Sequence, residues 1–329
     1  MIEKIASDLF RIEIPLPDLL LKFVNSYVIK DPVRNLVIDT GMYNDECLDT
    51  MVTSLRKLDV DLLDTDFFIT HSHGDHIGLV SRLMQNGSAV YMNKAETELI
   101  RKIGDGSLSE EIRSFLVESD FPEKDPSKIL PRRVRSEFSA RTALSFQFLK
   151  DGDVLKKGSH EFRCVETPGH SNGHMCLYDL TSKYLIAGDH LLGNITPGIQ
   201  ARIDTQNPLK EYLASLRKIY ALDVSKVLPG HRDVFENFRS RIVEIEEHHE
   251  QRNKEALEAM IKGGRTVYEI ASKMTWNVDC DSWDSFPVVQ SFFATSETFA
   301  HLRYLEENGS ITRSVREGKL FYEIAARNN

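Results

Sequence analysis

The chain has 329 residues, 41% hydrophobic and 28% charged, with 41 Lys or Arg against 50 Asp or Glu and a formal net charge of −9. That length supports a large core, one big domain with a smaller one, and the acidic balance excludes a surface that attracts nucleic acid or anionic membrane as a whole, though not a local patch. Four scattered cysteines, Cys47, Cys164, Cys176 and Cys280, lack CxxC spacing and fit reduced buried thiols; with no apolar run near the ~20 residues of a membrane span, a soluble cytoplasmic protein is expected.

In chain order, residues 9–14, 25–29 and 36–38 predict short strands punctuated by Pro15, Pro17 and the Asp31-Pro32 pair. The third runs into Asp39-Thr40-Gly41, and residues 46–58 predict an amphipathic helix. The apolar run 66–70 then delivers His71, His73, Asp75 and His76, four metal-ligand-type side chains within six positions. Imidazole is a good zinc donor and a carboxylate supplies charge, so three His and one Asp on one turn can serve two neighbouring ions. Gly74 leaves the backbone free to bend between them. A lone HxH would read as a polar loop, but three more apolar stretches, 162–165, 184–187 and 227–228, each lead to a ligand-type residue beside a glycine: His170, Asp189 and His231. Four strand ends converge on one site, which is the signature of a dinuclear metallohydrolase. Residues 77–85 predict the helix after the first motif, and the alternation of strands and helices predicts a layered α/β protein.

After His231 the sequence turns helical. Residues 236–260 carry one apolar face; the adjacent His248 and His249 point in different directions on it and suit solvent or an interface better than a metal. Gly263-Gly264 breaks this helix, Thr266 caps another over 267–276, and residues 296–307 form a third. Asn308-Gly309 then turns into a hairpin with residues 316–319 at its tip. Three helices and a hairpin make a winged-helix-like unit. Residues 236–329 hold 12 Lys or Arg against 16 Asp or Glu, a net of −4. Lacking the basic stripe of a nucleic-acid module, this unit is expected to cover the sandwich, shape the substrate entrance or mediate a homodimer.

The motifs HSHGDH, then His170, Asp189 and His231, in this order and spacing, closely resemble the metallo-β-lactamase superfamily over roughly the first 235 residues. The resemblance implies an αββα sandwich over residues 1–235, a helical cap inserted at 94–144 and a C-terminal helical, winged-helix-like domain over 236–329. It implies that His71, His73 and His170 hold one metal, Asp75, His76 and His231 a second, and that Asp189 bridges them around a shared hydroxide, with Asp75 and Asp189 as the catalytic carboxylates. Two zinc ions are expected, with iron or manganese as alternatives. Asp39 matches a structural position beneath the ligands. The family's oxygen-reducing branch carries Glu where His73 stands and an attached flavin domain; neither is seen. The C-terminal unit resembles that of a subgroup containing RNA-cleaving members alongside many hydrolases.

Substrate contacts are less legible. Arg132, Arg133 and Arg135 in the cap, and Arg232 after the last ligand, are candidates for an anionic substrate, against the simpler reading of surface charge. His174 and His190 flank ligand stations and would hydrogen-bond a ligand or substrate. Tyr178, Tyr212 and Tyr220 read as packing residues. A small-molecule hydrolase acting on a thioester, as in glyoxalase II, or on a lactone ranks first. A metal-dependent single-strand endoribonuclease ranks second, and a non-catalytic binding or regulatory protein last.

Overall fold

Alternating side chains along the strands sort into two different cores. The structure, a computed structural model, describes residues 1–16, 21–130, 144–201, 207–263, 265–278 and 280–326. Among these, one seven-stranded sheet runs β1 (Ile2–Lys4), β2 (Leu9–Pro15), β3 (Phe23–Ile29), β4 (Asn35–Ile38), β5 (Thr65–Phe68), β6 (Val90–Asn93) and β7 (Gln147–Leu149). It is antiparallel from β1 to β4 and parallel from β4 to β7. A five-stranded sheet takes the order β12 (Lys226–Pro229), β11 (Tyr184–Gly188), β10 (Met175–Asp179), β9 (His160–Glu166) and β8 (Val154–Lys157). The inner core sits between the sheets: Leu9, Ile29, Ile38 and Phe68 from the first meet Phe162, Leu177, Ile186 and Leu228 from the second. On the same strands, Val28, Val37, Phe67, Val165, Cys176 and Val227 face outward into a second buried cluster under the helices. A strand buried on both faces must be apolar almost throughout, which is why these segments read as continuous hydrophobic runs.

The first sheet is covered by α1 (Asp45–Lys57), whose Asn44 cap accepts the Cys47 amide and whose Met51 and Leu55 are buried. The second is covered by α6 (Pro208–Tyr220), again with an asparagine cap, Asn207, and a proline in its first turn. The helix predicted at 77–85 is broken into α2 (Gly74–Ile77) and α3 (Val80–Leu83). Thr40 causes the break: its amide and hydroxyl both donate to the His76 carbonyl and its Oγ1 accepts the Leu79 amide, so the helical ladder is diverted. The charged stretch after β6 forms α4 (Glu96–Asp105) and α5 (Ser107–Glu118).

The C-terminal elements are α7 (Phe238–Ile261), α8 (Val267–Ala271), α9 (Val288–Glu307) and the hairpin β13 (Ile311–Arg316) with β14 (Lys319–Ile324). The hairpin turns through Glu317 and Gly318, both with positive φ. Two helices differ from expectation. α8 keeps its Thr266–Glu269 capping box but stops at Ala271, whose carbonyl accepts the Trp276 indole; α9 starts at Val288, immediately after Pro287, well ahead of residue 296. Eleven of the 20 residues of α9 are buried, against α6, α7, α8 and β13, so it is a core helix rather than a solvent-facing one.

Candidate metal centre

Each ligand-type residue sits just beyond a strand end, where the sheet has stopped using the backbone and the next turn is free to aim a side chain. His71 and His73 follow β5, His170 follows β9, Asp189 follows β11 and His231 follows β12. Both sheets therefore contribute. Glycine is demanded at three of these corners, including Gly169 before His170, where φ is +136 and a Cβ would lie 2.4 Å from Tyr212 Cβ. Gly188 has φ +47 and a Cβ there would lie 2.6 Å from His174 Nε2; a Cβ on Gly230 would lie 2.5 Å from Asp189 Oδ1.

Three groups of donors gather within 4.8 Å: His71, His73 and His170; His71, His76 and Asp189; Asp75, His76 and His231. His71 Nε2 and His170 Nε2 lie 2.9 and 3.1 Å from His73 Nδ1. On the other side, His231 Nε2 is 3.3 Å from Asp75 Oδ2 and 3.4 Å from Asp189 Oδ2, and His76 Nε2 is 3.6 Å from Asp189 Oδ1. The far ring nitrogens are anchored. His76 Nδ1 pairs with Asp39 Oδ2 at 2.7 Å, His170 Nδ1 donates to the Gly198 carbonyl, His231 Nδ1 donates to the Phe23 carbonyl, and His71 Nδ1 lies 3.0 Å from Thr70 Oγ1, which donates to Asp39. Such partners fix ring orientation and tautomer, turning the Nε2 lone pairs toward the centre.

Burial holds His71 well below its ordinary value and His73 down to about 3, with neighbouring imidazoles adding to the effect. Burial also opposes charge on His76 and His231, but nearby carboxylates, Asp189 foremost, outweigh it: His76 rises well above its usual value and His231 to about 10. Asp189 and Asp75 are in turn held well below the carboxylate range by those rings, against the opposing pull of burial. His76 Nε2, His231 Nε2 and Asp189 Oδ1 are buried without a hydrogen-bond partner. Buried orphan donors of imidazole and carboxylate type, clustered and outwardly braced, fit divalent metal ions.

Other candidates fall differently. His174 accepts the Asp189 amide at Nε2 (3.1 Å) and meets Thr167 at Nδ1, so it braces the Asp189 loop. His190 is fully buried with its ring edge-on to Tyr212, whose hydroxyl donates to the His190 carbonyl. Tyr178 donates to the Asp223 carbonyl and Tyr220 is exposed. Arg232 has φ +68, a conformation that suits glycine, and lines a cleft with Asn194, Phe235 and Arg241 away from His73 and His170. His248 is exposed, but His249 is buried between Tyr212 and His301, correcting the expectation that both face solvent or an interface; successive helical residues diverge, and this one falls on the packed side. Arg132, Arg133 and Arg135 lie outside the described residues. A cleft bounded by Leu99, Lys102, Asn172 and Gln200 opens beside His73 and His170. Glu96, absent from the sequence-based candidates, lies at its base. All four cysteines are free.

A family model described as the metallo-beta-lactamase superfamily matches residues 20–231. Among curated proteins, the chain is 25% identical to "Probable metallo-hydrolase YqjP" of Bacillus subtilis (strain 168), over 96% of this chain and 97% of that one. It is also 25% identical to an atrochrysone carboxyl ACP thioesterase of Cryptosporiopsis sp. (strain 8999), over 91% and 79% respectively. Among solved structures, a metallo-beta-lactamase family protein from Thermus thermophilus superposes with a TM-score of 0.83 at 24% identity, covering 98% of this chain and all of the other. A beta-lactamase domain protein from Burkholderia ambifaria gives 0.78 at 22%, covering 98% and 95%.

Proposed function

Because this chain belongs to the metallo-beta-lactamase superfamily and is similar to a probable metallo-hydrolase and a thioesterase, we propose that it hydrolyses a small-molecule thioester or lactone at a centre of two divalent ions, zinc foremost and iron or manganese next. The observation that carries this reading is the pairing of donor groups around one carboxylate: His71, His73 and His170 on one side of Asp189, and Asp75, His76 and His231 on the other. Bound divalent ions supply a low-pKa water and polarise a carbonyl oxygen.

The chain's own residues do the rest. Asp189 and Asp75 are kept ionised and ready to receive cations, and Asp39, Phe23 and Gly198 hold the imidazoles so that little reorganisation is needed. The cleft beside His73 and His170 is the entrance for the acyl group: Leu99 offers an apolar wall, while Lys102, Asn172 and Gln200 offer donors to a polar or anionic tail. Lys102 also pairs with Glu111 at 2.6 Å, which ties this wall of the cleft to α5. The thioesterase relative and the acidic balance both support a small acyl substrate over a polyanion. The C-terminal helices and hairpin serve as a cover, since a helix buried as α9 is has little surface to offer a nucleic-acid groove.

The test is hydrolysis by the zinc-loaded protein of acyl thioesters and lactones against short single-stranded RNA, beside Asp189→Ala. Turnover of thioester or lactone that disappears in the variant is the expected result. RNA cleavage sensitive to the variant, without acyl hydrolysis, would reverse the assignment, and no turnover of any substrate would leave only a binding role.

A further inference from the structure

We infer that Glu96 is a positioning residue for the His71, His73 and His170 group, tying the first turn of α4 to both loops that carry those histidines. Its side chain is buried, with the residue 2% exposed, and each carboxylate oxygen serves one loop. Oε2 accepts the Ser72 amide at 2.7 Å and the Ser72 hydroxyl at 2.6 Å; Oε1 accepts the Ser171 hydroxyl at 2.7 Å and the Gly173 amide at 2.6 Å. Ser72 lies between His71 and His73, and Ser171 follows His170. Each of the three histidines is thus one residue from a donor to Glu96, whereas Asp75, His76, Asp189 and His231 are not. The second donor group has its own brace in Asp39, which receives His76 Nδ1 directly. Asp39 also reaches His71 through the Thr70 hydroxyl, so the two braces differ in kind: Asp39 acts on rings, directly at His76 and through Thr70 at His71, whereas Glu96 acts on the loops that carry His71, His73 and His170.

A buried carboxylate costs much unless its lone pairs are filled, and four short donors fill them, with charge-assisted bonds roughly twice as strong as neutral ones. Its place in the first turn of α4 adds the favourable end of the helix dipole. Glutamine is close in shape but brings one acceptor oxygen and an NH2, so one of the two loops must face a donor with a donor. Which loop is released depends on the amide's orientation, and either release frees at least one of the three rings.

The inference rests on the reading that His71, His73 and His170 hold an ion, and the experiment separates the two. Metal-free parent protein, Glu96→Gln and Asp39→Asn are titrated with Co2+ by calorimetry and visible absorption; their melting and the amide exchange of residues 70–76 and 169–175 are followed without metal. The expected result is that Glu96→Gln weakens one Co2+ step by about 10- to 100-fold and keeps the other, while Ser72 or Gly173 exchanges faster. Asp39→Asn should weaken chiefly the complementary step, since Asp39 meets His76 directly and His71 only through Thr70. If Glu96→Gln does not fold, Ser171→Ala, which removes one of the four donors, is expected to weaken the same Co2+ step severalfold. Parent-like Co2+ binding in a variant that merely melts lower would overturn the positioning role and leave a structural one. Failure of the parent to take up Co2+ would overturn the reading of the site itself and the inference with it.

Discussion

At the scale of single residues, the candidate site is braced by side chains one step removed from its donor-type residues, and Asp39 gives the sharpest test. Its carboxylate receives the Thr70 amide and hydroxyl as well as His76 Nδ1, and its backbone has φ +56. Asparagine tolerates that left-handed conformation, so Asp39→Asn removes charge without forcing the chain to refold. The expected loss is about 10- to 100-fold in metal affinity or kcat/KM, read by metal content after dialysis and by thioester turnover. The seven ligand-type residues were legible because each combines a chemistry-bearing side chain, a turn glycine and an apolar strand in adjacent positions. Glu96 was not, because its partners stand 24, 75 and 77 residues away and its own surroundings, Lys94 to Lys102, look like an ordinary charged surface helix. His249 escaped for the same reason: Tyr212 and His301, which bury it, come from other helices.

At the scale of elements, the two sheets are joined at a polar seam as well as by the inner core. Asp66 of β5 receives Lys157 of β8 at 2.8 Å, Arg34 at 3.0 Å and the Ala89 amide at 3.0 Å. Burial pushes the Asp66 carboxyl up, but Lys157, Ala89 and Arg34 outweigh it and hold it below its ordinary value. A carboxyl depressed in the folded state contributes stability that is complete above its unfolded pKa and drains away as pH falls through the folded one. Asp66→Asn should therefore cost about 3 kcal/mol at pH 7 by urea unfolding, and the gap to the parent should close as pH drops below about 4. A gap independent of pH would mean that shape, not charge, joins the sheets here. Sequence pattern located the strands because their periodicity is local. It did not locate the break between α2 and α3, because Thr40, which diverts the His76 carbonyl, arrives from another strand end 36 residues earlier.

At the scale of the whole molecule, the outer core does not stop at residue 235. Phe115 of α5 and Phe121 just after it meet Phe292, Phe299 and Tyr268 edge-on or at a tilt, and Ala201 exchanges hydrogen bonds with Ser296. Phe238, Ile242 and Ile245 of α7 join Leu209, Leu216 and Ile219 of α6 in one buried cluster. We propose that the boundary near residue 235 marks a change of architecture, not an independently folding unit. Residues 1–235 alone should bind a hydrophobic dye and lose cooperative melting, whereas a sharp melt without dye binding would make the C-terminal segment a detachable module. No helix among the described residues is long and apolar enough to cross a membrane. The spacing of the ligand-bearing corners also has a temporal side. His71 and His231 are 160 residues apart. At ribosomal speeds of about 5–20 residues per second, roughly 8 to 30 s separate their synthesis. Until His170 follows, 99 residues after His71, the nascent chain displays a histidine-rich turn without its third histidine, and until His231 the second donor group is incomplete, so an ion caught early would be held by a fragment of the set, and selection of a metal would belong to the finished protein rather than to the growing one.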